Sequence, residues 1–186
     1  MSDFPFSIPT TPPNRPTAFS QSDTIRQITI TAGNPDDAAN PGNQKGGAVT
    51  ELSTSIVLTD VNQNVFINCR VVGELHINSA NFGIILHRSG GTGGSVFLRA
   101  AEEDNRGRFI SPNLISINGD DASTLDVSVI TYVDTTTTAG TYIYTPVFVN
   151  TSGGSGVRQY MLNRVFVANN TVDYEVAVST MVVQVI

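Results

Sequence analysis

Residues 125–133 read LDVSVITYV and show the clearest period-two alternation in the sequence. One set comprises Leu125, Val127, Val129, Thr131 and Val133, and the other comprises Asp126, Ser128, Ile130 and Tyr132. Successive side chains of a β-strand point to opposite faces of a sheet, so this period is typical of a half-buried strand and not of a helix. Similar stretches, separated by turn-forming residues, follow one another from Val49 to Ile186. The sequence therefore predicts an all-β chain.

About eight or nine candidate strands at this spacing, without a convincing helix, predict an antiparallel β-sandwich of jelly-roll type over residues 48–186. One predicted hairpin lies around the turn at 78–80 and places Ile77 opposite Phe82. The last strand, within 172–186, is apolar on both faces. Such a strand is expected to be covered on both sides, either between two layers or by a symmetry mate.

The first 47 residues have a different composition, because seven of the nine prolines lie before residue 42. This density excludes a regular helix and favours an extended, polyproline-like chain. We expect residues 1–47 to form an extended anchoring arm whose apolar side chains dock on another subunit, the alternative being a disordered tail. The expected arm-anchoring residues are Phe4, Phe6, Ile8 and Phe19.

Composition and charge narrow the classes of partner. The formal net charge is −6, and Lys45 is the only lysine beside nine arginines, so no basic patch is expected to collect phosphates. Nucleic acid and anionic membrane are therefore not expected partners. The sequence shows neither a cleaved signal pattern nor a long apolar span. Cys69 follows a strand pattern in which a small buried residue belongs, so we expect a core thiol and not a reactive one.

No catalytic constellation stands out in the sequence. The glycine cluster at 90–94 lacks the lysine and hydroxyl of a phosphate-binding loop. His76 and His87 flank one turn at unequal distances and are not expected to share a metal ion. A sandwich-fold carbohydrate hydrolase would need two positioned carboxylates, for which only Asp126 and Glu175 are eligible. We expect no enzymatic activity, no metal site and no cofactor.

Four segments together resemble a known family. They are FGIILHRSG at 82–90, TYIYTPVFV at 141–149, the glycine turn and strand at 153–164, and STMVVQVI at 179–186. In this order they are similar to a C-terminal β-module of tailed-phage structural proteins, which is common in cyanophage tail fibre or decoration proteins. The resemblance covers roughly residues 52–186.

The resemblance implies a non-enzymatic virion protein of jelly-roll type that is assembled in the bacterial cytoplasm. It implies a homotrimer, fixed to other virion proteins by its arm. The first function it implies is a tail fibre or fibre tip that recognises a host surface glycan. The alternative is a capsid decoration protein whose arm staples neighbouring capsomers.

Loops rich in hydroxyl groups are the candidate host contacts, with Tyr142 or Tyr144 stacking on a sugar ring. The other interpretation of these loops is ordinary turn chemistry. The nominated residues are Ser89, Thr92, Thr135, Thr136, Thr137, Thr138, Tyr142, Thr151 and Ser152.

Overall fold

The fold is known from a computed structural model. It describes residues 15–30, 46–75, 82–99, 110–112, 125–135, 138–150, 158–165 and 176–186. These residues form two antiparallel sheets stacked as a β-sandwich, and within them the only helical element is one 3-10 turn, Thr50–Leu52. The predicted all-β antiparallel sandwich is confirmed.

The described residues contain twelve strands. They are β1 (Thr17–Ser22), β2 (Arg26–Ile30), β3 (Gly47–Ala48), β4 (Thr54–Leu58), β5 (Val65–Leu75), β6 (Phe82–Gly90), β7 (Val96–Leu98), β8 (Ser111–Pro112), β9 (Asp126–Asp134), β10 (Gly140–Asn150), β11 (Arg158–Leu162) and β12 (Ser179–Val185). The first sheet has the order β1-β12-β5-β11-β2, and β9 also pairs with β5. The second sheet has the order β3-β10-β6-β7, with β4 paired to β10 and β8 to β6.

Strands β1 and β2 belong to the sandwich, although both lie in the segment that the sequence analysis assigned to the arm. Strand β1 pairs with β12, and β2 pairs with β11. Ile28 and Ile30 are buried in the core, and the Ser20 hydroxyl lies 2.6 Å from the Thr54 hydroxyl. The folded part therefore includes residues 17–30, and residue 47 does not mark its beginning.

The predicted hairpin between β5 and β6 is wrong. Strand β5 pairs with β9, β11 and β12 in the first sheet, whereas β6 pairs with β10, β7 and β8 in the second. Phe82 lies opposite Asn150, and Ile77 lies outside the described residues. The chain changes sheets between Leu75 and Phe82, so β5 and β6 turn apolar faces toward the shared core from opposite sides.

The core lies between the sheets and is closed at one end by aromatic rings. Phe82 and Phe148 from the second sheet stack at 5.2 Å between centroids, and Phe148 lies 4.2 Å from Tyr160 of the first sheet. Cys69 is buried and free, and burial raises the pKa of its thiol to about 12. The predicted core thiol is therefore confirmed.

Strand β12 lies between β1 and β5 and shows different exposure on its two faces. Met181, Val183 and Val185 are buried in the core, whereas Val182 and Gln184 on the outer face are only half-buried. Strand β9 behaves similarly, because Ile130 is buried and its valines face outward.

The sandwich has two distinguishable ends. At the first, the backbone carbonyl of Pro16 accepts a hydrogen bond of 3.0 Å from Val185 N, and Val65 pairs with both Val185 and Asp134. We call this the Arg15 end, since the described chain begins there. The opposite end, where Phe82 pairs with Asn150, is called the Asn150 end.

Candidate functional site

Three of the nominated hydroxyl residues meet at the Arg15 end. The hydroxyls of Thr92 and Thr138 lie 2.9 Å apart, and the Thr138 hydroxyl lies 3.0 Å from that of Tyr142. The Thr138 backbone N–H also donates to the Tyr142 hydroxyl at 3.0 Å. These residues are called the hydroxyl cluster. It joins the turn after β6 to the loop before β10, so two separate loops hold each other in place.

The glycines of the turn after β6 shape this cluster. Gly90 and Gly91 have φ values of +93° and +61°, in the left-handed region that glycine adopts without steric cost. A Cβ atom on Gly91 would overlap the Tyr142 ring. The ring is buried under this turn, so only its hydroxyl takes part in the cluster at the surface.

A buried ion pair lies beneath the hydroxyl cluster and joins the two sheets. Arg88 Nη1 donates to Asp134 Oδ1 at 2.9 Å and to Oδ2 at 2.7 Å. The Tyr144 hydroxyl donates to Asp134 Oδ2 at 2.9 Å, and the Arg88 guanidinium carbon lies 5.7 Å from the centroid of the Tyr142 ring. Arg88 and Tyr144 belong to the second sheet and Asp134 to the first, so this group ties the layers together.

The electrostatics of this group keep its phenols neutral. Burial raises the pKa of Tyr144, and the negative charge of Asp134 and the hydrogen bond to it act in the same direction. Burial also raises the pKa of Tyr132; Asp134 adds to this shift and Arg88 opposes it. The Asp134 carboxylate already accepts from Arg88 and Tyr144, so its described bonds give it a structural role. Toward solvent, the site offers the threonine hydroxyls as hydrogen-bonding groups.

The structure describes two of the other nominated contact residues, Ser89 and Thr135. Ser89 is half-buried on β6 opposite Ile143, and Thr135 is exposed just after β9. Tyr142 and Tyr144 are both buried, so neither ring is presented to solvent for stacking on a sugar. Thr136, Thr137, Thr151 and Ser152 lie outside the described residues, and the last two follow Asn150 at the opposite end of the sandwich.

Of the four nominated arm residues, the structure describes Phe19. Phe19 lies in β1 opposite Val182, and its side chain is 60% exposed. Phe4, Phe6 and Ile8 precede Arg15 and lie outside the described residues.

Of the residues weighed for chemistry, the structure describes His87 and Asp126. His87 packs at 5.0 Å between ring centroids against Phe97, and its partial burial lowers the pKa of the imidazole. Partial burial raises the pKa of Asp126, at the start of β9. His76 and Glu175 lie outside the described residues. Within the described ranges, no three His, Cys, Asp or Glu side chains group as metal ligands would.

A second buried polar group was missed by the sequence analysis. Asn163 has a φ of +61°, and its side-chain NH₂ donates to the carbonyls of Ser22 at 2.9 Å and Thr24 at 3.0 Å. Its Oδ1 accepts from the Ser179 hydroxyl at 2.6 Å, and that hydroxyl accepts from Val72 N at 2.9 Å. This group ties the turn between β1 and β2 to the core.

Strand parity alone could not reveal the buried ion pair, because the sequence does not tell which face of β9 is buried. Asp134 lies four residues after Ile130, so both side chains point to the same face of β9. A carboxylate in register with a core residue needs a cationic partner, and Arg88 supplies it.

No protein-family model matches this sequence, and no curated protein matches it. Among the described residues, no helix has the length and apolar character needed to cross a bilayer.

Proposed function

We propose that this chain is a non-enzymatic structural protein of a phage virion, a tail fibre or fibre-tip module that recognises the host surface. The segment before Arg15 is the anchor, and the Asn150 end faces the host. Jelly-roll connectivity, an extended arm and a homotrimer belong to the same proposal. Its support is the resemblance of the sequence to the phage β-module, together with the antiparallel sandwich.

The single observation that carries the orientation is the place where the chain joins the sandwich. The Pro16 carbonyl bonds to Val185 N at the Arg15 end. An anchor attached there leaves the Asn150 end furthest from the attachment. The segments 76–81, 113–124 and 151–157 each connect strands that terminate at this far end. Loops at one end of a β-sandwich are the usual carriers of binding residues.

This orientation divides the nominated contact residues into two groups. Thr151 and Ser152 follow Asn150 and fall at the end that would face the host. The hydroxyl cluster lies at the Arg15 end, on the side of the anchor, where its hydrogen bonds act as turn chemistry. Host contact is therefore proposed for the first group and not for the second.

The location is tested on purified particles with a gold-conjugated antibody raised against the full chain. Label confined to the tail supports the fibre proposal. Label spread over the capsid would replace it with the decoration function, in which the arm staples capsomers. Particles without label would contradict both placements.

Host recognition is tested by adsorption of particles that carry single substitutions. Thr151→Ala and Ser152→Ala are expected to slow adsorption to host cells. Thr92→Ala is the matched control at the opposite end and is expected to leave adsorption unchanged. The reverse pattern would show that the hydroxyl cluster is the contact surface and would overturn the proposed orientation.

A further inference from the structure

The outer face of the first sheet carries an exposed apolar patch. Phe19 of β1 is 60% exposed, and Val129 and Val133 of β9 are 49% and 41% exposed. Val182 of β12 and Phe66 of β5 are half-buried on the same face, which also carries the polar residues Asn68, Thr131 and Gln184. The five apolar residues are called the outer patch. Solvated faces of antiparallel sheets normally carry polar side chains, so this apolar content calls for a partner.

The size of the outer patch limits what can cover it. Four strands at a spacing of about 4.8 Å give a width of roughly 14 Å, and the stretch of β9 from Val129 to Val133 extends over about 14 Å. The area is on the order of 200 Å², well below the roughly 800 Å² per partner of a stable interface between two folded proteins. A patch of this size suits a short extended segment better than the face of a second sandwich.

The first fourteen residues have the composition that this patch would bind. Phe4, Phe6 and Ile8 lie at alternate positions, so a segment that binds in the β conformation directs all three to one side. The span from Asp3 to Ile8 is about 17 Å when extended, which matches the width of the patch. Apolar side chains at this spacing can therefore reach several strands at once.

The charges of the two surfaces are also complementary. Arg70 lies on the same outer face, between Thr180 and Val129 in the sheet register. Its described hydrogen bond, of 3.2 Å, goes to the Val178 carbonyl, and no ion pair to another described residue accompanies it. Asp3 is the only residue with an ionisable side chain in the first fourteen. One acidic side chain in the segment thus meets one guanidinium on the face.

The prolines that precede Thr17 favour binding of the segment to a neighbouring copy over binding to the sheet of its own copy. Pro12 and Pro13 favour an extended polyproline conformation, and the residue before each proline is restricted to extended geometry. Among residues 11–16, Asn14 is the only one that is neither a proline nor followed by a proline. The segment is thus disfavoured from folding back onto the sheet that it has just joined at the Arg15 end.

We propose that residues 3–8 of one copy bind across the outer patch of a neighbouring copy, with Asp3 paired to Arg70. This inference rests on the proposed homotrimer: it assigns residues 3–8 to the contact between copies, and attachment to other virion proteins then involves the rest of the Arg15 end. Such a head-to-tail contact closes into a ring when its rotation allows, which agrees with the proposed trimer.

Disulfide trapping in the full-length protein tests this contact. The natural Cys69 is buried, and burial raises the pKa of its thiol to about 12, so it forms no background crosslink while the protein is folded. Phe6→Cys protein is mixed with tagged Val129→Cys protein under mild oxidation. The matched control replaces Val129→Cys by Val57→Cys, since Val57 is 54% exposed and belongs to β4 of the other sheet.

The proposal predicts a mixed disulfide between Phe6→Cys and Val129→Cys at about tenfold the yield of the control, because docking raises the effective concentration of the two thiols. A yield equal to the control would overturn it. Efficient Val129→Cys homodimers would show instead that two sheet faces pack together. Intrachain closure of the Phe6→Cys/Val129→Cys double variant at high dilution would assign the contact to the same copy.

A charge exchange gives a second readout. Arg70→Glu is expected to reduce the mixed disulfide, and Asp3→Lys on the partner is expected to restore it. A loss that Asp3→Lys does not rescue would contradict the pairing. Failure of either experiment is distinct from failure of the proposed function, because the gold label reports location whatever the arm binds.

Discussion

Arg88, Asp134 and Tyr144 show how single residues hold the two sheets together. The carboxylate accepts from both partners within 2.9 Å and is buried at the Arg15 end. Removing one partner of a buried pair leaves the other charge in a medium that solvates it poorly. The group thus fixes how the sheets align beneath the hydroxyl cluster.

Loss of Asp134 is predicted to be costly. Asp134→Ala should lower the free energy of unfolding by roughly 3–5 kcal/mol, because a buried guanidinium then lies beside an apolar methyl group. Asp60→Ala is the control at an exposed turn and should change it by less than about 0.5 kcal/mol. Denaturant titration measures both values. Equal effects of the two substitutions would contradict the structural role of the ion pair.

Two tyrosines are predicted to respond oppositely to the same substitution. The Tyr144 hydroxyl bonds to Asp134, whereas the buried Tyr160 hydroxyl has no hydrogen-bond partner among the described residues. Tyr144→Phe should therefore destabilise the fold by about 1 kcal/mol, and Tyr160→Phe should stabilise it by a similar amount. Thermal melts of the two variants compare them directly. Destabilisation by Tyr160→Phe would indicate a bond that the structure lacks.

At the scale of elements, the sequence predicts strands better than it predicts their partners. The alternation in LDVSVITYV locates β9, yet it does not tell which face is buried. The more apolar valine face is exposed, because Ile130 packs in the core and Asp134 must reach Arg88 across the sandwich. The prediction that β5 pairs with β6 is wrong for a similar reason. Partner choice depends on contacts far apart in sequence, which local periodicity does not record.

Strands β1 and β2 show the same limit. Proline density correctly marks an unusual composition, but Ile28 and Ile30 are buried beside β11 and β3, and Asn163 holds the turn at Ser22 and Thr24. Residues 17–30 show only a weak alternation of apolar and polar residues, because each strand is short. Their stability comes from tertiary contacts.

Two deletions are predicted to separate the arm from the fold. Removing residues 1–14 should change the free energy of unfolding of the isolated copy by less than about 0.5 kcal/mol, because every described core residue remains. Removing residues 1–30 should abolish folding, since two strands and two buried isoleucines disappear. Circular dichroism and denaturant titration at low protein concentration measure this. A folded 31–186 protein would show that β1 and β2 are dispensable.

At the scale of the whole molecule, buried phenols and a buried thiol make the fold sensitive to alkali. Burial raises the pKa of Tyr144, Tyr160 and Cys69 in the folded state. The unfolded chain releases these protons at ordinary values, about 8.5 for the thiol and about 10 for a phenol. The stabilisation that these groups give is therefore fully present below their pKa values in the unfolded chain. It is lost as the pH rises from those values toward the higher pKa values of the folded state.

The predicted outcome is a coupled transition in alkali. Ultraviolet absorbance should show phenolate from Tyr144 and Tyr160 only together with loss of the β-sheet circular dichroism signal, above about pH 10. The Tyr160→Phe variant should lose stability less steeply with pH. Full phenolate absorbance in a protein that keeps its sheet signal would contradict the burial of these rings.

The central claim is an orientation: the Arg15 end points to the particle and the Asn150 end points to the host. Cryo-electron microscopy of purified virions measures it most directly, because the sandwich and its two ends can be fitted to the density. The account predicts sandwich density at the tail, with the Arg15 end innermost. Density with the Asn150 end against the particle, or density repeated over the capsid, would contradict it.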